Sequence, residues 1–146
     1  LVLRFASGLR GSVVYMDDER TGEVLYSAKH QLAGKPDYIE RVAGDLIPVE
    51  FKSTRAPEKP YTSHAMQLLA YCLLVEDRFR QRVPEGRLIY NGRSFTLPFG
   101  DVERVSILRL ISKMQMLKPG KVKRSHNCPE RCRSCAFVDS CPDSLA

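Results

Sequence analysis

No stretch of this chain approaches the roughly 18 consecutive apolar residues that a membrane-crossing helix needs, so no membrane partner of that kind is expected. Leu1 to Arg10 has neither the long apolar run nor the small-residue cleavage site of a secretory signal, and a cytoplasmic setting is expected. The chain opens on Leu1 rather than Met, which leaves room for residues upstream. Internal repeats and low-complexity segments are absent, which excludes solenoids and fibrous arrays. No cysteine precedes Cys72, so a disulfide scaffold spread along the chain is excluded. What remains is ordinary globular material. The chain has 146 residues, 43% hydrophobic and 27% charged, enough for one domain with one core. Lys and Arg number 23 against 17 Asp and Glu, and the net charge of +6 admits a polyanion such as nucleic acid without requiring one.

The pattern along the chain is strand-rich at first. Ser12–Met16 and Glu23–Ser27 read as a strand and its returning partner across a polar turn. Gly34–Val42 reads as a third strand, Ala43–Asp45 as a turn and Leu46–Lys52 as a fourth, central strand. Pro48 argues against that centrality, because it cannot donate to a ladder. Ser53–Pro60 is expected to be a loop. Tyr61–Arg80 is expected to be a helix buried on most sides through Leu68, Leu69, Cys72, Leu73, Val75 and Phe79. Arg87–Tyr90 and Arg93–Leu97 form a hairpin about Asn91-Gly92. Asp101–Leu117 is expected to be an amphipathic helix with Val105, Leu108, Ile111, Met114 and Leu117 on one stripe. This order gives an α/β or α+β class.

Chemistry concentrates in three places. Side chains alternate along a strand, so Glu50 and Lys52 share a face. Charges inside an apolar strand call for a partner or an ion. Asp37 lies on the preceding strand, close enough across a tight turn to stand beside Glu50. Two such carboxylates repel unless a dication lies between them, and hard oxygen ligands suit Mg²⁺ or Mn²⁺. The plainer alternative is a turn aspartate after Pro36 and a solvated Glu50–Lys52 edge pair. The second place is the helix, where His64, Gln67 and Tyr71 are spaced by three and four residues along one face. The third is the quartet Cys128, Cys132, Cys135 and Cys141, spaced C-x3-C-x2-C-x5-C, which reads as a metal or cluster site in a reducing compartment.

Gly34-Lys35-Pro36-Asp37, then Glu50-Phe51-Lys52, then Gln67-Leu68-Leu69-Ala70-Tyr71 resembles the ordered motif set of RecB-like PD-(D/E)xK nucleases. With the terminal cysteines, it is most similar to the CRISPR-associated exonuclease family Cas-four. The resemblance implies an α/β, restriction-endonuclease-like mixed sheet flanked by helices, with a nuclease core over residues 1–124 and a cysteine-rich tail over 125–146. It implies that Asp37, Glu50 and the Phe51 carbonyl hold Mg²⁺ or Mn²⁺, that Lys52 is the catalytic lysine, and that Gln67 and Tyr71 brace the site or touch DNA. It implies DNA cleavage, often from single-stranded ends, in the processing of new CRISPR spacers, with CRISPR integrase subunits as partners. It also favours a 4Fe–4S cluster over Zn²⁺ in the tail, with Cys128 standing in for a ligand that the family normally draws from far upstream. No N-terminal helical region bearing that cysteine and a metal-site histidine precedes Gly34. Two further readings therefore stand beside the first: a RecB-like repair nuclease module, and a catalytically incomplete DNA-binding subunit that uses Lys121, Lys123, Arg124, Arg131 and Arg133.

Overall fold

The computed structural model describes residues 8–17, 22–117, 123–135 and 137–146. Five strands build the main sheet: β1 (Ser12–Met16), β4 (Tyr38–Val42), β5 (Asp45–Arg55), β6 (Glu85–Asn91) and β7 (Arg93–Pro98), in the order β1-β4-β5-β6-β7. All pairings are antiparallel except β5 with β6, which run parallel. A parallel pair needs a long crossover, and helix α1 (Thr62–Phe79) supplies it. The short strands β2 (Leu25–Ser27) and β3 (Leu32–Gly34) pair with each other as a separate ribbon against α1. This is the expected mixed α/β sheet with helical cover.

The β4–β5 turn is a two-residue hairpin, with Val42 opposite Asp45 and positive φ at both Ala43 and Gly44. The φ of +92° at Gly92 closes the β6–β7 hairpin, where Tyr90 pairs with Arg93. Helix α1 is buried along its middle, where Leu68, Leu69 and Tyr71 to Val75 are all buried. It lies so close to β6 that a Cβ on Gly86 would sit 2.8 Å from Leu68 and 2.9 Å from the Cys72 sulfur. Ile39, Leu46, Val75, Val83, Phe99 and Ile107 continue this core.

Several sequence expectations need correction. β1 does not pair with β2: it lies against β4, because alternation marks a strand without choosing its neighbour. The third strand is broken, with β3 ending at Gly34 and β4 starting at Tyr38, so Asp37 sits in a bend just outside the sheet. β5 runs on to Arg55, into the segment expected to be a loop. Pro48 is buried in the central strand, and this is tolerated on the β6 side because that ladder begins only at Val49. On α1, Phe79 is exposed under the Arg78 guanidinium. On α2 (Asp101–Met116), Ile107 and Ile111 are buried and Leu108 packs against the core, while Val105 and Met114 are exposed, as is Leu117 just past the helix.

The chain divides into two compact units, Leu1–Ile111 and Ser112–Ala146. The second holds α3 (Pro129–Arg133) and a 3-10 turn at Val138–Ser140. Lys121 lies outside the described residues. Among the described residues no helix is long and apolar enough to cross a membrane.

Candidate active site

Alternation along β5 sends Glu50 and Lys52 toward α1, and Val49 and Phe51 to the opposite face. Lys52 Nζ donates to Glu50 Oε1 at 2.8 Å and to Gln67 Oε1 at 2.7 Å. Gln67 Nε2 donates in turn to the Tyr71 hydroxyl at 2.8 Å. Spacing by four residues thus places Gln67 and Tyr71 in one chain of hydrogen bonds that fixes the lysine. Asp37 joins from the bend before β4: its Oδ2 accepts the Phe51 N–H at 2.7 Å, which docks the carboxylate onto β5 beside Glu50. The structure therefore brings together Asp37, Glu50, Lys52, Gln67 and Tyr71. The solvated edge pair is excluded, since the Glu50 side chain is only 8% exposed.

Burial raises the pKa of Asp37, against the pull of the Phe51 N–H and the Lys52 charge. Glu50 is raised first by burial and further by the nearby charge of Asp37, with Lys52 opposing. The Tyr71 hydroxyl is pushed up to about 12 by burial and by the charges of Glu50 and Asp37, so it stays protonated. One oxygen is left over: Glu50 Oε2 is buried and has no hydrogen-bond partner. A buried unpartnered carboxylate oxygen costs free energy that a dication would offset. The donor set, two carboxylates on adjacent backbone segments, fits a hard cation. Among the described residues no three His, Cys, Asp or Glu side chains could hold a metal alone, so the remaining ligands would be backbone or solvent oxygens.

Asp37 and Lys52 open into a cleft of about 980 Å³ that also borders Tyr38, Phe51, Tyr90 and Arg93. His64 does not join the lysine network. Its Nδ1 is 2.8 Å from the Tyr90 hydroxyl, and burial followed by the Lys52 charge lowers its pKa. Two residues that sequence reasoning passed over belong here. Asp17 donates its backbone N–H to the Asp37 carbonyl at 2.9 Å and lines the cleft. Tyr90 lines it from β6. Neither stands in a spaced motif, so only the three-dimensional pairing reveals them.

The sequence profile of the PD-(D/E)XK nuclease superfamily matches residues 8–142. The chain belongs to this superfamily. Relatives include the CRISPR-associated exonuclease Cas4/endonuclease Cas1 fusion of Leptospira interrogans serogroup Icterohaemorrhagiae serovar Lai, 36% identical over 45% of this chain and 13% of its own length. The CRISPR-associated exonuclease Cas4 of Francisella tularensis subsp. novicida is 24% identical over 82% of this chain and 60% of its own. The DNA replication ATP-dependent helicase/nuclease JHS1 of Arabidopsis thaliana is 28% identical over 82% of this chain and 10% of its own. The chain thus spans less than two thirds of each of these relatives. The crystal structure of SSO0001 superposes with a TM-score of 0.53 and 28% identity, over 78% of this chain and 52% of the other. The resemblance stated from the motifs to a Cas4-like member of the superfamily holds, and so does the fold.

Gly34 adds a geometric requirement to this superfamily site. A Cβ there would lie 2.8 Å from Tyr71 Cε1, so β3 can cross the tyrosine only as glycine. Gly34→Ala is expected to displace Tyr71 and loosen the Gln67–Lys52 link. Circular dichroism should show native secondary structure while the tyrosine near-ultraviolet signal changes.

In the second unit, Cys132, Cys135 and Cys141 line one cavity of about 230 Å³ together with His126. Cys132 is buried and Cys135 exposed. Among the described residues, however, no three His, Cys, Asp or Glu side chains stand close enough together to hold a metal ion, and these thiols are included. Cys128 departs from the expected quartet: it does not line the cavity, and its Sγ bonds Glu130 Oε2 at 3.2 Å. All five cysteines are free thiols, and Cys72 is wholly buried in the first unit, as expected of a core cysteine.

Proposed function

We propose that this domain is a metal-dependent deoxyribonuclease, an exonuclease acting on single-stranded DNA ends in CRISPR adaptation. The observation that carries the reading is Glu50 Oε2, buried and unpartnered beside Asp37 and within the reach of a positioned lysine. In this reading Asp37, Glu50 and the Phe51 carbonyl hold Mg²⁺ or Mn²⁺. The bound ion would activate water and neutralise phosphate charge. Lys52 stabilises the charge that develops on the scissile phosphate, and Gln67 and Tyr71 hold Lys52 in place. The Cas4/Cas1 fusion supports CRISPR integrase subunits as partners. Cys132, Cys135 and Cys141 would hold an iron–sulfur cluster, with the fourth ligand supplied by Cys128 after it leaves Glu130, or by a donor elsewhere. Zn²⁺ is the alternative, and an anaerobic visible spectrum separates the two: broad absorption means iron–sulfur, and a colourless loaded protein means zinc.

A second reading, a replication or repair nuclease module, is favoured by the match to JHS1 across 82% of the chain. A Mn²⁺-supplemented assay on end-labelled single-stranded DNA tests the activity that both share, and also separates them from a DNA-binding subunit that does not cleave. Asp37→Ala is expected to abolish product formation while leaving the fold intact. Equal cutting by variant and parent would remove Asp37 from the site.

Metal binding can also be read without activity. Because burial raises both carboxyl pKa values, the folded protein holds more protons than the unfolded chain between the ordinary carboxylate pKa and the raised one. Each carboxylate therefore costs stability as pH rises through that window, and the cost is complete above the raised pKa. A dication that binds only the folded state reverses it. Mn²⁺ is expected to raise the melting temperature of the parent at neutral pH and to leave Asp37→Asn unmoved. In metal-free buffer Asp37→Asn is expected to melt higher than the parent.

A further inference from the structure

We infer that Asp17 is the third carboxylate of the cation site: it holds a water of the ion's shell from the β1 side, and Lys35 is the counter-charge that competes with this water. This rests on the nuclease reading above and adds a positioning residue that stands in none of the spaced motifs.

Strand register puts three carboxylates in one row. Met16 pairs with Tyr38, and Tyr38 pairs with Val49. One step further along each antiparallel pair stand Asp17, Asp37 and Glu50, and residues directly opposed across antiparallel strands share a face. Two bonds fix the row here: the Asp17 N–H donates to the Asp37 carbonyl at 2.9 Å, and the Phe51 N–H donates to Asp37 Oδ2 at 2.7 Å. The shared face is the one toward α1. Glu50 lies on it, and Tyr15, two residues before Asp17, packs against the core to which α1 contributes Leu69 and Tyr71 to Val75. After burial, the charge of Asp17 is among the causes that raise the pKa of both Asp37 and Tyr71.

A lysine closes each end of the row. Lys52 Nζ meets Glu50 Oε1 at 2.8 Å, and Lys35 Nζ meets Asp17 Oδ1 at 2.9 Å. Three carboxylates thus face two ammonium groups, which leaves a negative charge over. Glu50 Oε2, buried and unpartnered on a side chain only 8% exposed, points independently to a cation at this row. Asp17 does not ligate that ion together with Asp37 and Glu50, since among the described residues no three such side chains stand close enough. It lines the same cleft as Asp37 and Lys52, and its side chain is 31% exposed, so water reaches it. Mg²⁺ keeps several waters when bound by one or two carboxylates, and a further carboxylate one water away is an acceptor for them. Lys35 occupies Oδ1, and a carboxylate has a second oxygen with which to accept from water.

The test is the Mn²⁺ affinity of the full chain without DNA, read from the electron paramagnetic resonance signal of the free ion. Asp37→Asn removes a direct ligand and so marks which bound ion belongs to the site. Asp17→Asn keeps the backbone bond to Asp37 and is expected to weaken that ion about tenfold, the usual loss when a partner outside the ligand set is removed. Lys35→Met is expected to tighten it roughly two- to fivefold, the strength of a half-exposed ion pair. The decisive variant carries both changes. Because Lys35 acts through Asp17, Lys35→Met in the Asp17→Asn background should leave the affinity where Asp17→Asn alone puts it, whereas two charges acting independently at a distance would give additive effects. Additive effects, or an Asp17→Asn variant that binds Mn²⁺ like the parent, would overturn the role of Asp17 and leave the nuclease reading standing. A parent with no Mn²⁺ bound at an Asp37-dependent site would overturn both.

Discussion

Lys52→Ala is expected to lower the rate of DNA cleavage by about 10²–10³-fold, the usual effect of removing one donor aimed at developing charge. The geometry sets this scale. An ammonium group has three donors. Two are taken, by Glu50 Oε1 at 2.8 Å and Gln67 Oε1 at 2.7 Å, so the third is held in a fixed direction at the cleft that Lys52 lines. The side chain is only 17% exposed, so its charge acts in a poorly screened setting. Removing it has a second consequence. Lys52 lowers the pKa of both Asp37 and Glu50, so without it both carboxyls move further above the ordinary range. Metal ligands must be deprotonated to bind. The acidic limb of the pH–rate profile should therefore shift to higher pH in Lys52→Ala, and added Mn²⁺ should draw it back. A variant with parental kcat and an unshifted limb would remove Lys52 from the chemistry.

Most of this site could be read from the chain because its members lie in short local patterns. Glu50 and Lys52 are two apart on a strand, and Gln67 and Tyr71 are four apart on a helix, so each pair shares a face whatever the rest of the fold does. Asp37 was legible as a partner of Glu50 through the turn that folds β4 onto β5, but its mode of attachment was not. The bend at Pro36 and Asp37 takes the residue out of the strand, and the bond to the Phe51 N–H then ties it to β5. Strand partners were the weakest inference. Alternation shows which residues point inward, but nothing in Ser12–Met16 says that β4 rather than β2 lies beside it. The α2 stripe holds only in part for a related reason: periodicity marks a possible apolar face, and of that stripe Leu108 and Ile111 meet the core of the first unit, joined by Ile107 from outside it, while Val105 and Met114 are exposed. His64 shares a helical face with Gln67, yet it turns to Tyr90, whose position depends on a hairpin well away in the chain.

The least legible feature carries the largest expected effect on stability. Glu40 and Arg87 are 47 positions apart, on strands that are not neighbours, and they meet across β5 on the sheet face turned away from α1. Glu40 is 0% exposed and Arg87 3%. Arg87 Nη1 donates to Glu40 Oε1 at 2.5 Å, while Nη2 donates to the Gly8 carbonyl at 2.5 Å. The second carboxylate oxygen, Oε2, accepts the N–H groups of Arg10 at 2.6 Å and Gly11 at 3.0 Å. The ion pair is thus also the fastening of the Gly8–Gly11 segment. Breaking one half of a buried pair strands the other charge and typically costs about 3–5 kcal/mol. Arg87→Met is expected to destabilise by that amount in urea denaturation, with Glu40 left facing two backbone donors and no cation. Removing both charges together, as Glu40→Leu with Arg87→Met, removes the stranded carboxylate and should recover part of the loss. It should not recover all of it, because the Arg10 and Gly11 N–H groups would then lose their acceptor and the Gly8 carbonyl its donor. The shortfall measures what the terminal segment gains from the pair. Hydrogen exchange at the Arg10 and Gly11 amides gives an independent readout: both should exchange faster in the double variant, while amides in β5 keep their protection. Full recovery of stability, with those two amides as slow as in the parent, would show that the segment is held by something other than Glu40.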